Sequence, residues 1–402
     1  EKSAPRETIV TGGTESGEIR RVVWKGALSL WQHHPFLGTG PETFAYSYYW
    51  YRPREHNDVS EWDFLYNKAH NEYLNYAATS GTVGLLAYLG LILTFLFKAF
   101  LQLKKVLKSQ DLKMLSLIQL GLLAGFLSLL VTNFFGFAVA PISLLFFLTP
   151  ALFWVLGQPA GKAEKVMAKK AKLSLTWPQQ GGLMLCLLLA GFFLWRVGQY
   201  WSADRLFALG EKLNKAGESN QAFGHLQKAI ALRPEPIYHD ELGLVSASLA
   251  VIAFNQEQAT LSAQLTELAL KSSNQALKSD PYNLNFWKNR TRLFYTLAEN
   301  DPQYTQSALD SLLTAAKLAP TDAKIQYNLA LVYAKLEQEE TAIKTLEQTI
   351  DLKPNYDHAR YALALFYEKK GETEKAREQL NYILAKINPN YEAAIEKLKN
   401  LK

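Results

Sequence analysis

The sequence predicts an all-α protein in which membrane-spanning helices are followed by a solenoid of paired helices. The first observation is that four apolar stretches lie between residues 82 and 200, each close to the roughly 20 residues that a helix needs to cross a bilayer core about 30 Å thick. The second is that the chain beyond residue 200 is polar and contains prolines at a regular interval, Pro320, Pro354 and Pro389. A regular interval of this size is typical of helical repeats.

The apolar stretches predict four transmembrane helices. They cover residues 82–101, 114–135, 138–156 and 181–200. Buried helices of a soluble protein are the alternative, but four long runs with few charges are difficult to bury in a soluble core. The only cysteine, Cys186, lies in such a run, so no internal disulfide is possible and cysteine chemistry is not expected.

The transmembrane helices divide the chain into three predicted parts. These are an extracytoplasmic region at 1–81, the four helices at 82–200 and an extracytoplasmic repeat domain at 201–402. Lysines are concentrated between the first two spans and again between the last two, and an excess of lysine marks cytoplasmic loops. We therefore expect a multi-pass protein of the cytoplasmic membrane. The small net charge of +6 is carried largely by these loops, which argues against a nucleic-acid-binding protein.

The C-terminal prolines mark a repeated pattern of small, apolar and aromatic residues. The recurring positions are Leu329, Ala330, Tyr333, Ala342 and Leu346 in one unit, and Leu363, Ala364, Tyr367, Ala376 and Leu380 in the next. This pattern resembles the tetratricopeptide repeat, in which small residues lie where paired helices approach and a proline ends the second helix. The match weakens over 203–234 and 289–320, and the segment 235–288 is irregular. A repeat solenoid typically offers a concave surface to a protein partner and carries no chemistry.

The region before the first span contains a predicted helix, a turn and an aromatic run. Apolar residues recur with helical periodicity over 18–34, and the helix is expected to end before Pro35. His33 and His34 are therefore interpreted as helix-end residues. Gly38-x-Gly40-Pro41 predicts a turn, and it is followed by the aromatic run 44–51.

Three motifs of this region, taken in order, resemble the C-terminal half of the O-antigen ligase and polymerase family. They are Arg20-x-x-x-Trp24-Lys25, then His34-Pro35-Phe36-Leu37-Gly38-Thr39-Gly40-Pro41, then Ala69-His70-Asn71-Glu72-Tyr73-Leu74 with Gly81-x-x-Gly84-Leu85. The resemblance covers about residues 15–100, and continues to 156 by hydropathy only. Members with an appended extracellular tetratricopeptide region share this layout. Because the family usually has many more spans, we expect this chain to be the C-terminal part of a longer enzyme.

The resemblance implies transfer of a glycan from an undecaprenyl-diphosphate carrier to a glycan, lipid or protein acceptor outside the cytoplasmic membrane, without a metal or another cofactor. Arg20 matches the arginine of the family, and a guanidinium group can bind a diphosphate bidentately and stabilise its growing charge. His70 matches the histidine of the family, and an imidazole has a pKa suited to accept a proton from the acceptor hydroxyl. Further candidates for binding substrate are Arg21, Arg52, Arg54, Asn71 and Glu72.

Two other functions are compatible with the same motifs. One is an O-antigen-type polysaccharide polymerase, for which the motifs are equally expected. The other is a non-enzymatic, membrane-anchored tetratricopeptide scaffold. In that case Arg20 and Arg21 would anchor the chain at lipid headgroups, and His70 would only begin a helix.

The sequence gives little support to two other kinds of site. A zinc site built from His33, His34, His56 and His70 lacks a recognisable ligand spacing. The acidic residues within 55–63 offer two glycosidase carboxylates only in principle, because loose acids in a loop are usually solvated. We expect both this acidic stretch and His56 to be exposed to solvent.

Overall fold

A computed structural model describes residues 13–109, 114–156 and 176–401, and every regular element within these ranges is helical. The predicted all-α fold class is confirmed. The lysine-rich loops that predict the orientation fall mainly on residues 105–113 and 157–175, whose side chains lie outside the described part of the chain. The orientation therefore stays a prediction.

The described chain forms two compact units. The first consists of Thr14–His56 and Phe64–Gly182, and is called the membrane unit below. The second, the solenoid unit, contains Asn57–Asp63 together with the residues from Leu183 onward. The short segment Asn57–Asp63 thus interrupts the membrane unit in sequence and packs with the solenoid.

Five of the described α-helices belong wholly to the membrane unit. They are α1 (Ser16–His33), α2 (Phe44–Ser47), α3 (Glu72–Ser109), α4 (Met114–Phe135) and α5 (Ala140–Leu156). Helix α1 ends two residues before Pro35, as predicted, because the residue before a proline disfavours helical geometry. Its buried positions follow the 3.6-residue period, so one face packs inward and the opposite face carries charge.

Helix α3 is broken at Gly81, where φ is 65° and ψ is −167°. This backbone region is essentially restricted to glycine. A Cβ atom on Gly81 would lie 2.2 Å from the carbonyl oxygen of Phe36, and a Cβ atom on Gly38 would lie 2.4 Å from the carbonyl carbon of Thr79. The two glycines therefore allow residues 35–40, called the glycine loop below, to lie directly against the backbone of α3.

The glycine loop supplies the hydrogen bonds that the break in α3 removes. The N–H groups of Thr39 and Gly40 donate to the carbonyl oxygens of Ala78 and Thr79, at 3.2 and 2.8 Å. In the other direction, the N–H groups of Thr82 and Val83 donate to the carbonyl oxygens of Pro35 and Phe36, at 2.8 and 3.2 Å. Backbone groups beside a bilayer must be satisfied within the protein, since each one left without a partner costs several kcal/mol. The turn predicted from Gly38 and Gly40 is confirmed, and both glycines have positive φ.

Four of the described helices are long and apolar enough to cross a membrane, judged by length and composition. They are Glu72–Lys104, Leu117–Phe135, Trp177–Lys215 and Pro236–Asn255. The first three contain or coincide with predicted spans, whereas the predicted span 138–156 corresponds to α5, a shorter apolar helix of 17 residues. In Pro236–Asn255, 67% of the most apolar 18-residue stretch is buried within the protein, whereas the corresponding value in Trp177–Lys215 is 0%. Pro236–Asn255 therefore uses its apolar side chains inside the solenoid.

The solenoid unit is built from helix pairs. Its helices are α6 (Trp177–Lys215), α7 (Ser219–Leu232), α8 (Pro236–Asn255), α9 (Ala259–Ser279), α10 (Leu284–Leu297), α11 (Tyr304–Leu318), α12 (Ala323–Lys335), α13 (Glu339–Leu352), α14 (Asp357–Lys369), α15 (Thr373–Tyr382) and α16 (Glu392–Asn400). Helix α6 begins before the solenoid unit and continues into it without a break. The predicted boundary at residue 200 therefore falls inside a helix.

The predicted repeats are confirmed as the pairs α12–α13 and α14–α15. The repeated alanines and leucines are fully buried between the paired helices, for example Ala342, Leu346, Ala376 and Leu380. The irregular segment 235–288 consists mainly of α8 and α9, which have 20 and 21 residues against 13 and 14 in α12 and α13. Because α8 and α9 are longer, their residues do not fall at the positions that recur in the other repeats.

Replacing Gly81 with alanine tests the contact between the glycine loop and α3. We expect Gly81→Ala to lower the thermal unfolding midpoint of the detergent-solubilised protein, because the backbone conformation alone costs on the order of 1–3 kcal/mol for a residue with a Cβ atom. Gly90→Ala is the matched control, since it lies in the same helix and its Cβ atom would meet nothing within 4 Å. Equal midpoints for the two variants would contradict the proposed contact.

Candidate active site

His70 lies two residues before the start of α3 and has a strained backbone conformation. Its φ is 53°, in the left-handed region that few residues other than glycine adopt, although histidine is among those that tolerate it. The half-buried ring makes edge-on contacts with Tyr66 and Phe137, with centroid distances of 5.7 and 5.1 Å. Strained residues that the surrounding structure holds in place are concentrated at functional sites. The conformation therefore supports His70 as a catalytic candidate.

Asn71 and Glu72 have structural contacts that the sequence did not reveal. The side-chain oxygen of Asn71 accepts a hydrogen bond from the N–H of Leu74 at 3.0 Å, which caps the start of α3. The carboxylate of Glu72 accepts one from the N–H of Ala138 at 3.2 Å, in the connection between α4 and α5. Both side chains are buried, and together they hold the backbone that follows His70. Their predicted contact with substrate stays a prediction.

A buried cluster of tyrosines and a second histidine lies next to His70. The hydroxyl of Tyr48 is 2.9 Å from Nδ1 of His56, and the His56 ring packs edge-on against Tyr66 at 5.1 Å. Burial raises the pKa of the Tyr48 phenol well above its ordinary range, although the charge of Arg52 acts in the opposite direction. The phenol therefore stays protonated and can donate its hydrogen bond to His56. Tyr66 connects this pair to His70.

The expectation that His56 is solvated is wrong, because the residue is only 1% exposed. A short 3₁₀ helix, Arg54–Asp58, turns the chain so that His56 points back onto Tyr48. Its partner, Tyr48, belongs to the predicted aromatic run 44–51. No sequence rule, however, links a histidine in a loop to a tyrosine eight positions earlier. The acidic residue Glu55 does face solvent, where it forms an ion pair with Lys25 at 2.5 Å.

Arg20 lies on the face of α1 that is directed towards the end of α4. Trp24 is one helical turn further along the same face, and its ring packs edge-on against Phe134 at 5.7 Å. Phe134 lies in the last turn of α4, three residues before Phe137, which contacts His70. The membrane unit thus brings this face of α1 and His70 to the same end of α4.

The other predicted arginines differ in their exposure. Arg21 and Arg54 are exposed, whereas Arg52 is 2% exposed and its guanidinium carbon lies 6.0 Å from the ring centre of Tyr49. The Tyr49 ring in turn packs edge-on against Tyr48 at 5.9 Å, so Arg52 lies beside the buried cluster. Arg21 and Arg54 are therefore available to a ligand in solution, and Arg52 belongs to the scaffold of the cluster.

Changing the cap of α3 tests how His70 is held. We expect Asn71→Ala to increase amide hydrogen exchange at Leu74 by about fivefold, because loss of an N-cap costs about 1 kcal/mol. Asn71→Ser is the control, since a serine hydroxyl can accept the same hydrogen bond. Equal exchange in the alanine and serine variants would show that Asn71 does not act as a cap.

Two parts of the chain match known protein families. Residues 4–89 match the family described as O-antigen ligase, and residues 337–399 match the tetratricopeptide repeat. The first match contains Arg20, the glycine loop and His70. The second covers the last repeats of the solenoid.

Individual relatives resemble parts of the chain. The photosystem I assembly protein Ycf3 of Rippkaea orientalis is 35% identical over 85 residues, which are 20% of this chain and 47% of that protein. The chain therefore spans about half the length of this curated relative. The tetratricopeptide repeat protein TTC0263 of Thermus thermophilus is 20% identical and covers 50% of this chain and 99% of its own, with a TM-score of 0.36.

A tetratricopeptide repeat protein from Parabacteroides merdae is 21% identical and covers 50% of this chain and 72% of its own, with a TM-score of 0.37. Together with the apolar helices, the family matches indicate a membrane protein. The N-terminal part of the chain is thus similar to the O-antigen ligase family, and its C-terminal part is similar to tetratricopeptide repeats.

Proposed function

We propose that this protein is a membrane glycosyltransferase of the O-antigen ligase type. It transfers a glycan from an undecaprenyl-diphosphate carrier to a glycan, lipid or protein acceptor. The observation that carries the proposal is the placement of His70 within the matched segment 4–89. The residue is strained, half-buried and located at the same end of α4 as the Arg20 face of α1.

In the proposed reaction, the oxygen of an acceptor hydroxyl forms a bond to the anomeric carbon of the donor sugar. The bond between that carbon and the diphosphate oxygen breaks, and the lipid diphosphate leaves with the electron pair. His70 accepts the hydroxyl proton, since an imidazole titrates near neutral pH and is an effective general base there. The products are the glycosylated acceptor, undecaprenyl diphosphate and a protonated imidazole.

Arg20 is proposed to bind the diphosphate. The negative charge on this group increases as the sugar departs, and a guanidinium group can donate two parallel hydrogen bonds to phosphate oxygens. Such donors stabilise the transition state more than the ground state, which accelerates the reaction. The exposed Arg21 and Arg54 are assigned the weaker task of attracting the anionic headgroup.

We place the reaction at the outer face of the cytoplasmic membrane. The lysine-rich stretches of the sequence support this side, because such stretches remain in the cytoplasm and the segment 1–81 would then lie outside. The solenoid is proposed to bind a protein partner or the acceptor, since repeat solenoids commonly present extended binding surfaces.

Replacing His70 tests the proposed base. We expect His70→Ala to reduce transfer from the lipid-linked donor by about 10²–10⁴-fold, the usual contribution of general base catalysis. His33→Ala is the control and is expected to transfer normally, since His33 is an exposed residue at the end of α1. Unchanged transfer by His70→Ala would rule out the proposed role.

Replacing Arg20 with lysine separates charge from hydrogen-bond geometry. We expect Arg20→Lys to reduce kcat by about 10²-fold, because the ammonium group retains the charge but cannot form the bidentate contact. Arg292→Lys, at an exposed position of α10, is the matched control and should have no effect. Near-normal transfer by Arg20→Lys would contradict bidentate binding of the diphosphate.

A further inference from the structure

Residues 57–63 separate two parts of the membrane unit in sequence, yet they pack as part of the solenoid unit. We call them the docked segment. Their partners are residues 321–324 and 352–356, which we call the receiving surface. This surface lies where the loop before α12 meets the loop between α13 and α14. It is therefore formed by neighbouring repeats.

Asn57 anchors the docked segment and is 0% exposed. Its side-chain nitrogen donates to the carbonyl oxygen of Thr321 at 2.8 Å and approaches that of Leu352 at 3.4 Å. Its side-chain oxygen is 3.5 Å from the N–H of Ala323, the first residue of α12. Leu352 is the last residue of α13, so one amide side chain serves backbone groups at the ends of two helices, where intrahelical partners are missing.

Lys353 and Trp62 extend this anchor. The buried ammonium group of Lys353 donates to the backbone oxygen of Asn57 at 2.5 Å and lies 4.6 Å from the ring centre of Trp62. The Trp62 ring packs edge-on against Tyr356 at 5.2 Å. Since both the cation and the aromatic ring are largely shielded from water, this contact is stronger than a surface pair.

The two ends of the docked segment are held in the membrane unit by consecutive tyrosines. At its start, Tyr48 bonds the imidazole of His56 at 2.9 Å, and at its end the hydroxyl of Tyr49 donates to the backbone oxygen of Phe64 at 3.0 Å. His56 is covalently joined to Asn57. Movement of the docked segment would therefore be transmitted to the buried histidine with no intervening flexible residue.

We propose that the solenoid recognises the docked segment as an intramolecular ligand, and that this contact positions His56 and, through Tyr66, the catalytic His70. Asn57 is the positioning residue. The solenoid thus supports catalysis by holding the loop that carries the buried cluster, in addition to any external partner that it binds. The catalytic part of this inference rests on the proposed glycosyltransferase function, whereas the docking part does not.

The docking part is tested by hydrogen exchange in the full protein. We expect Asn57→Asp to increase amide exchange in peptides covering 57–63 and 321–327 by about tenfold, since a carboxylate cannot donate to Thr321 and Leu352 and is repelled by their carbonyl oxygens. Asn67→Asp is the matched control, because Asn67 is an exposed residue of the same loop region. Unchanged exchange over 321–327 in Asn57→Asp would overturn the docking.

The positioning of His56 is tested by chemical labelling with diethylpyrocarbonate, which modifies accessible imidazoles. We expect Asn57→Asp to make His56 reactive, with the exposed His33 as an internal reference whose labelling does not change. The same variant should lower kcat for transfer while leaving KM for the lipid-linked donor unchanged, because Arg20 is not affected.

If Asn57→Asp increased amide exchange but left His56 unlabelled, the positioning role would be overturned. Increased exchange with a normal kcat would overturn it as well. If the wild-type protein transferred no glycan, the glycosyltransferase proposal would fail. Exchange and His56 labelling would still decide whether the solenoid holds the docked segment and His56 in place.

Discussion

The break in α3 is the constraint on which the membrane unit depends. An apolar helix that loses its internal hydrogen bonds beside a bilayer cannot obtain replacements from lipid. The glycine loop provides them, both as hydrogen-bond donor and as acceptor. It can do so only because Gly38 and Gly81 have no Cβ atom, which would overlap the backbone of the other segment. This contact joins residues 78–83 of α3 to the glycine loop, which immediately follows α1 in sequence.

The candidate site is therefore built mainly from scaffold residues, with few side chains left for chemistry. Asn71 and Glu72 hold the backbone after His70, and Tyr48 and Arg52 form the buried surroundings of His56. Such surroundings resist movement, because each buried polar group that loses its partner costs about 1–3 kcal/mol. A rigid site is what general base catalysis and diphosphate binding require, since both depend on distance.

Local signals predicted the features that depend on neighbouring residues. Pro35 ended α1, Gly38 and Gly40 formed the turn, and the repeat period identified α12 to α15. The burial of His56 and the docking of Asn57 were missed, because their partners are set by tertiary contacts. Asn57 and Thr321 are separated by 264 positions in sequence, and no local pattern encodes such a pair. The break in α3 was likewise hidden, since a single glycine within an apolar run is common.

Amide hydrogen exchange at Gly40 and Thr82, measured for the protein in lipid nanodiscs, tests the central claim most directly. Both N–H groups donate across the contact between the glycine loop and α3, each over 2.8 Å. If the contact holds the membrane unit together, both amides will exchange as slowly as those within α3. Exchange as fast as that of Leu37, an exposed residue of the same loop, would contradict the account.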